Sequence, residues 1–361
     1  MTKAFLAIPS HCGVPLLSKL TIGRFTYEGK VSADGTSIEG VWTQNRKSQP
    51  LEFKRATADT AWKDSSPHTV RFVSVDKDVK VQVLDWGGTG RPLVLLTGLG
   101  NDAHVYDKFA LKLTAAYHVY GITRRGFGVS SAPAPTSENY AADRLGDDVL
   151  GVIDSLKLSR PFLVGHSIAG EELSSVGSRH PEKVAGLIYL DAGWPYAYYD
   201  RSRGDVFVDS AEVRRKLDLL DPLNPDNNSR GAVRELAETD LPALEKAMRR
   251  LLAHLQAESN QSQSHLPPLY QAIFAGEQRY TDIRAPILAI FAFPHNYQSI
   301  ADPKARDAAD AEELETRGAQ AKAFEAGLPN ARVVRLENAD HYVFRSNEAD
   351  VLREMNAFIA Q

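Results

Sequence analysis

Along residues 69–193, and again along 283–361, short apolar runs alternate with segments whose apolar residues recur every three or four positions. Period two or an unbroken apolar run marks a strand, and period 3.6 marks a helix. On that basis residues 69–75 and 79–85 form two strands joined across Asp76, Lys77 and Asp78, an antiparallel pair. Residues 92–97 form a buried strand, 104–116 a helix and 118–123 a strand. A helix over 140–156 carries Leu145, Val149, Ile153 and Leu156 on one face. A short strand at 162–164, a helix over 168–179 and a strand over 184–190 follow. The alternation stops near Trp194. From there to about Asp282 the chain reads as helical and polar, with a loop at 224–230 and one amphipathic helix marked by Leu244, Met248, Leu251 and Leu255. It resumes with a strand at 286–293, a charged helix over 303–326, a strand at 332–336, and a last helix turning Leu352, Met355 and Ile359 inward. Such alternation predicts an α/β fold, a mostly parallel sheet covered by helices on both faces. The interruption predicts a helical insertion between its sixth and seventh strands.

The front of the chain differs. Residues 21–56 read as about three short strands, with Asp34-Gly35 as the turn between alternating segments. A meander of that size is marginal by itself. A polar linker over 56–68 joins it to the rest. The expected division is therefore 1–60 for the β-rich segment and linker, 61–193 with 283–361 for the core, and 194–282 for a cap.

Composition narrows the class without changing the picture. In 361 residues, 43% are hydrophobic and 24% charged, enough apolar surface for a core without metals or cross-links. A net charge of −4 with no basic run speaks against a nucleic-acid partner. The one cysteine, Cys12, cannot form an internal disulfide and lies in no nucleophile motif. No apolar run reaches the roughly twenty residues of a membrane span, and the opening twenty residues lack a long enough apolar core for an export signal. As written the chain is expected to be cytoplasmic, with secretion or a periplasmic location open if the start is truncated. The sequence does not report an oligomeric state.

Chemistry concentrates at Gly165-His166-Ser167-Ile168-Ala169-Gly170, which directly follows a buried strand and directly opens a helix. A serine on such an elbow holds strained backbone angles, so the positions two residues either side must be small; Gly165 and Ala169 are. Ser167 is therefore the candidate nucleophile.

Four segments in order resemble the α/β-hydrolase superfamily, in its serine hydrolase or esterase-like branch: Leu95 to Gly100, Gly121 to Ser130, Gly165 to Gly170, and Asn338 to His341. The resemblance spans residues 69–361 and implies an eight-stranded sheet with a cap after the sixth strand. It implies oxyanion donors at the backbone N–H groups of Leu99 and Ile168, with Gly98 in the same loop at the substrate. It places the general base at His341. Most members carry the acid after the seventh strand, where this chain has Phe293-Pro294-His295-Asn296 and no carboxylate. Asn296 is left as an occupant of that place. Some branches keep the acid after the sixth strand, which makes Asp191 the first choice here. Asp302 follows, then Glu171 and Glu172; Asp340 is expected to point elsewhere. His166 is expected to pack and His295 to sit in a loop. Trp194, Tyr196, Tyr198 and Tyr199 open the cap, with Trp194 and Tyr196 named for substrate contact. The front segment resembles a β-rich stretch that precedes the catalytic domain in some bacterial hydrolases. The implied activity is hydrolysis of a small-molecule carboxylic ester through an acyl-enzyme, without cofactor or metal. An aminopeptidase, lactonase or C–C bond hydrolase on the same scaffold, or a non-catalytic binding protein, are the alternatives.

Overall fold

The computed structural model describes residues 17–22, 25–44, 47–57, 60, 66–223, 229–257, 266–295, 297 and 300–361. Cys12, Asn296 and most of the polar loop at 224–230 lie outside them. The chain divides into two units, residues 1–65 with 260–267, and 66–259 with 268–361.

The first unit holds an antiparallel meander of four strands, β1 (Leu17–Ile22), β2 (Phe25–Val31), β3 (Ser37–Gln44) and β4 (Lys47–Lys54), in sequential order. The pattern predicts about three. Leu17, Leu20 and Ile22 do not alternate strictly, so β1 is defined by its pairing with β2 rather than by its periodicity. Tyr27 is buried, its hydroxyl 2.9 Å from the carbonyl oxygens of both Ile38 and Leu51. The ring is admitted by Gly40, where a Cβ would sit 2.7 Å from Tyr27 Cζ.

The second unit is built on an eight-stranded sheet: β5 (Thr69–Asp76), β6 (Val79–Gly87), β7 (Arg91–Leu96), β8 (Tyr117–Thr123), β9 (Phe162–His166), β10 (Gly186–Leu190), β11 (Ile287–Ala292) and β12 (Ala331–Leu336). Their order across the sheet is β12-β11-β10-β9-β7-β8-β6-β5. Every pairing is parallel except β5 with β6 and β6 with β8. The inner strands β9, β10 and β11 are buried at every position, which is why they read as unbroken apolar runs. On one face α2 (Ala142–Ser155), α3 (Gly170–Arg179) and α9 (Ala319–Gly327) contribute Val149, Val152, Leu173 and Phe324 to the core. On the other, α1 (Asp107–Leu113) and α11 (Glu348–Ile359) contribute Phe109, Leu113, Val351 and Met355. This is the α/β-hydrolase fold that the sequence implies.

Between β10 and β11, the sheet's sixth and seventh strands, lie α4 (Val206–Asp218), α5 (Ser229–Glu235), α6 (Leu241–Ala257) and α7 (Pro268–Ala275). The amphipathic helix expected here is α6, but its apolar stripe is not inward: Met248 and Leu251 are exposed, and the small Ala247 is the buried contact. The single helix expected over 303–326 is α8 (Pro303–Glu313), a widened π turn at Leu314–Gly318, and α9. That wide turn delivers Arg317 to the site described next.

Candidate active site

Ser167 stands where β9 ends and a 3-10 turn, Ser167–Ala169, leads into α3. Its φ is +56°, a left-handed conformation that non-glycine residues rarely hold and that concentrates at functional positions. The neighbours explain the motif. A Cβ on Gly165 would come 2.9 Å from Leu173 Cδ1 and 3.1 Å from the Ala169 methyl. A Cβ on Gly170 would lie 2.0 Å from the Ala192 carbonyl oxygen, so the turn passes β10's exit with no room to spare.

Asp191 immediately follows β10, also at positive φ (+46°), and is 1% exposed. His341 lies in the loop after β12, its side chain 40% exposed. The two meet: His341 Nδ1 lies 2.6 Å from Asp191 Oδ2. The carboxylate's other oxygen accepts the Ala292 N–H at 3.0 Å, so the end of β11 orients it. Donating Nδ1–H to the carboxylate leaves Nε2 as the imidazole's free acceptor.

His166 packs as expected and also anchors. Its Nε2–H donates to the His341 carbonyl oxygen at 2.9 Å, and its ring lies 4.6 Å from that of His341. Burial first, then the neighbouring His341, pushes its pKa down to about 3, so it stays neutral and serves as a fixed donor.

The loop after β7 runs against this group. A Cβ on Gly98 would lie 2.7 Å from His166 Nδ1 and 3.3 Å from the Ser167 Cβ, so only glycine lets the loop approach the serine. Leu99, Ile168 and Tyr196 belong to one apolar cluster with Phe127, Leu145 and the α7 residues Leu269, Ala272 and Ile273. Burial raises the Tyr196 pKa well above the usual phenol value, and nearby Glu277 and Asp191 add to the shift, so it is a neutral phenol. Trp194 donates Nε1–H to the Asp191 carbonyl oxygen at 3.0 Å.

The other carboxylates are elsewhere engaged. Asp302 caps α8, accepting from the Lys304 N–H at 3.0 Å. Glu172 takes both its hydrogen bonds from Arg124, at 2.7 and 2.8 Å. Glu171 is fully buried, and neither of its oxygens has a hydrogen-bond partner. Asp340 is exposed. His295 pairs with buried Glu313.

Two residues escape sequence reasoning. Arg317 places Nη1 3.4 Å from Asp191 Oδ2 and its guanidinium 4.7 Å over the Trp194 ring. It sits among several charged residues of 303–326, and nothing in their spacing distinguishes it. Arg124 donates Nη2–H to the Thr97 carbonyl oxygen at 2.9 Å and pairs with Glu172, and so ties the loop after β7 to α3. The Arg124-Arg125 pair inside the Gly121 to Ser130 segment was the available signal.

Comparison with known proteins bears on the family and the fold. A family model described as the alpha/beta hydrolase family matches residues 93–354. A fluoroacetate dehalogenase from Burkholderia sp. is 32% identical over 116 residues, 32% of this chain and 38% of that protein. A 2-hydroxymuconate semialdehyde hydrolase from Pseudomonas sp. (strain CF600) is 30% identical over 149 residues, 37% of this chain and 48% of that protein. These matches span less than half the length of the relatives. An epoxide hydrolase structure from Vigna radiata superposes with a TM-score of 0.52 at 16% identity, covering 83% of this chain and 99% of that one.

Proposed function

The chain belongs to the alpha/beta hydrolase family, and from that premise we propose that it is a serine hydrolase cleaving small carboxylic esters through an acyl-enzyme on Ser167. The observation that carries this reading is the strained serine on its elbow together with the 2.6 Å contact from His341 Nδ1 to Asp191 Oδ2. In the proposed sequence Ser167 Oγ attacks the ester carbonyl while His341 Nε2 takes its proton. The imidazolium then returns that proton to the departing alkoxide. Asp191 holds the tautomer and stabilises the charged ring. A water activated by His341 releases the acid.

Negative charge grows on the carbonyl oxygen, and the backbone N–H groups of Leu99 and Ile168 are assigned to receive it. Tyr196, a neutral phenol packed in the same apolar cluster as Leu99 and Ile168, is assigned to substrate contact. The apolar cluster around Leu99, Ile168 and Leu269 favours an apolar acyl group. In this reading residues 194–282 form a cap over the core of 61–193 and 283–361, preceded by the β-rich segment 1–60. A serine at the elbow disfavours dehalogenase and epoxide hydrolase chemistry, in which a carboxylate nucleophile forms the covalent ester. Among the described residues no helix is long and apolar enough to cross a membrane.

The test is a fluorophosphonate probe followed by peptide mapping, alongside turnover of short p-nitrophenyl esters. An adduct on Ser167, lost in Ser167→Ala, is expected; folded protein that neither labels nor turns over any ester, lactone or aminoacyl anilide is a binding protein instead.

A further inference from the structure

We propose that His68, His104 and Asp107 form a binding site for a zinc-type divalent transition metal, a site that shares no residue with the proposed catalytic group. One ligand atom from each of the three lies within 4.8 Å of the other two. His104 sits in the 3-10 turn Ala103–Tyr106 and Asp107 opens α1, three positions on, so both side chains emerge from one side of the turn. His104 Nδ1 and Asp107 Oδ2 are 3.2 Å apart. Two ligands at about 2.0–2.1 Å from a tetrahedral ion are separated by about 3.3 Å, so this pair already has the spacing of one tetrahedral edge.

The third ligand arrives from a different part of the chain. His68 directly precedes β5, and its ring meets that of His104 at 5.2 Å between centroids and 63° between planes. Its ring also meets that of Trp86, 6.0 Å away and edge-on, whose Nε1–H donates to Ser66 Oγ at 2.9 Å. The segment carrying His68 is therefore held against β6, which keeps its ring beside the His104–Asp107 pair. On the other side, Asp102 Oδ1 accepts the His104 N–H at 3.2 Å and fixes the turn.

A second observation points to an ion. Asp107 Oδ1 is buried, with no hydrogen-bond partner in the protein. A desolvated carboxylate oxygen without a donor is costly, and a cation bound at Oδ2 of the same carboxylate neutralises the charge that Oδ1 shares. The side chains of His104 and Asp107 remain about one-fifth to one-quarter exposed (21% and 24%), leaving a path for an ion and room for a water as fourth ligand. Two imidazoles with one carboxylate suit zinc, nickel or copper; calcium and magnesium require shells of oxygen. The ion would clamp the strand that opens the sheet to the turn that follows the loop of Gly98 and Leu99, a structural role.

The experiment uses tag-free, chelator-treated full-length protein titrated with zinc by calorimetry, with thermal unfolding in parallel. One saturable site is expected, and a midpoint that rises by several degrees with zinc concentration, as mass action requires. Calcium and magnesium should give no shift. His68→Gln, His104→Gln and Asp107→Asn, made separately, should each weaken zinc binding at least tenfold while ester turnover stays at the wild-type level. Cobalt in place of zinc should give the visible absorption of a tetrahedral N/O site. Weak, multi-site zinc uptake unchanged in all three variants would overturn the proposal and leave His104 and Asp107 as an ordinary ion pair.

Discussion

Asp191 Oδ2 is shared between two donors, the Nδ1 of His341 at 2.6 Å and the Nη1 of Arg317 at 3.4 Å. The first partner is neutral in the resting base and charged in the transition state; the second is always charged. The carboxylate is thus neutralised in part before the imidazole acquires its proton. Both contacts depend on Asp191 being buried at the mouth of β10 and oriented through Oδ1 by Ala292.

Asp191→Asn tests the first contact. An amide keeps the shape but can present its NH2 to Nδ1, which selects the wrong tautomer and removes the charge that stabilises imidazolium. Turnover of a p-nitrophenyl ester should fall by about 10³–10⁴-fold, with KM little changed. Asp302→Asn should retain wild-type turnover, because that carboxylate caps α8. If Asp191→Asn kept wild-type kcat, the acid assignment would be wrong.

Arg317→Gln tests the second. A cation beside Asp191 disfavours a second positive charge on His341, so removing it favours the protonated ring. The acidic limb of the kcat/KM profile should move to higher pH, while the plateau falls only modestly. Arg317→Lys should move the limb less than Gln does, even though it loses the stacking on Trp194. A profile that does not move in the Gln variant sinks the electrostatic role, and packing on Trp194 would be all that Arg317 supplies.

The strand-helix order and the serine's place in it were legible because both follow from local rules: buried strands read as apolar runs, and the elbow demands small neighbours. The His341–Asp191 pairing was reachable only through resemblance, since it joins residues 150 positions apart. Arg317 was not legible, because a π turn has no distinctive apolar period and the charges around it look like any solvated helix. The environment of α6 was not legible for a related reason. Periodicity reports that a helix has an apolar side, not what that side meets, and Met248 and Leu251 stay exposed. The extra strand β1 was missed because edge pairing tolerates irregular alternation.

Arg124 and Glu172 form a fully buried bidentate pair beneath the loop of Thr97 and Gly98. Removing one partner strands the other charge in the core. Arg124→Met should cost about 3–5 kcal/mol in urea unfolding, and the double variant Arg124→Met with Glu172→Leu should recover much of that loss. If the double variant instead loses the sum of the single effects, the two residues act independently. Ester turnover in Arg124→Met should fall as well, because Thr97 loses its tie to α3.

Glu171 supplies the last prediction. Its carboxyl is fully buried without a hydrogen-bond partner, and its pKa is raised well above 4.5 by burial first and by Glu172 second, with Arg124 opposing. The native state therefore keeps a proton that the unfolded chain releases near pH 4.5. Its contribution to stability is complete below that pH and is lost as pH rises toward the folded-state value, at about 1.4 kcal/mol per pH unit between the two. Glu277, also buried and shifted upward, adds the same sign. Glu171→Gln removes the titration but keeps the volume. Unfolding free energies measured from pH 5 to 9 should decline less steeply in Glu171→Gln than in the wild type, with the two curves converging at the acidic end. Parallel curves across that range would mean that Glu171 ionises in the folded protein as it does in the unfolded chain.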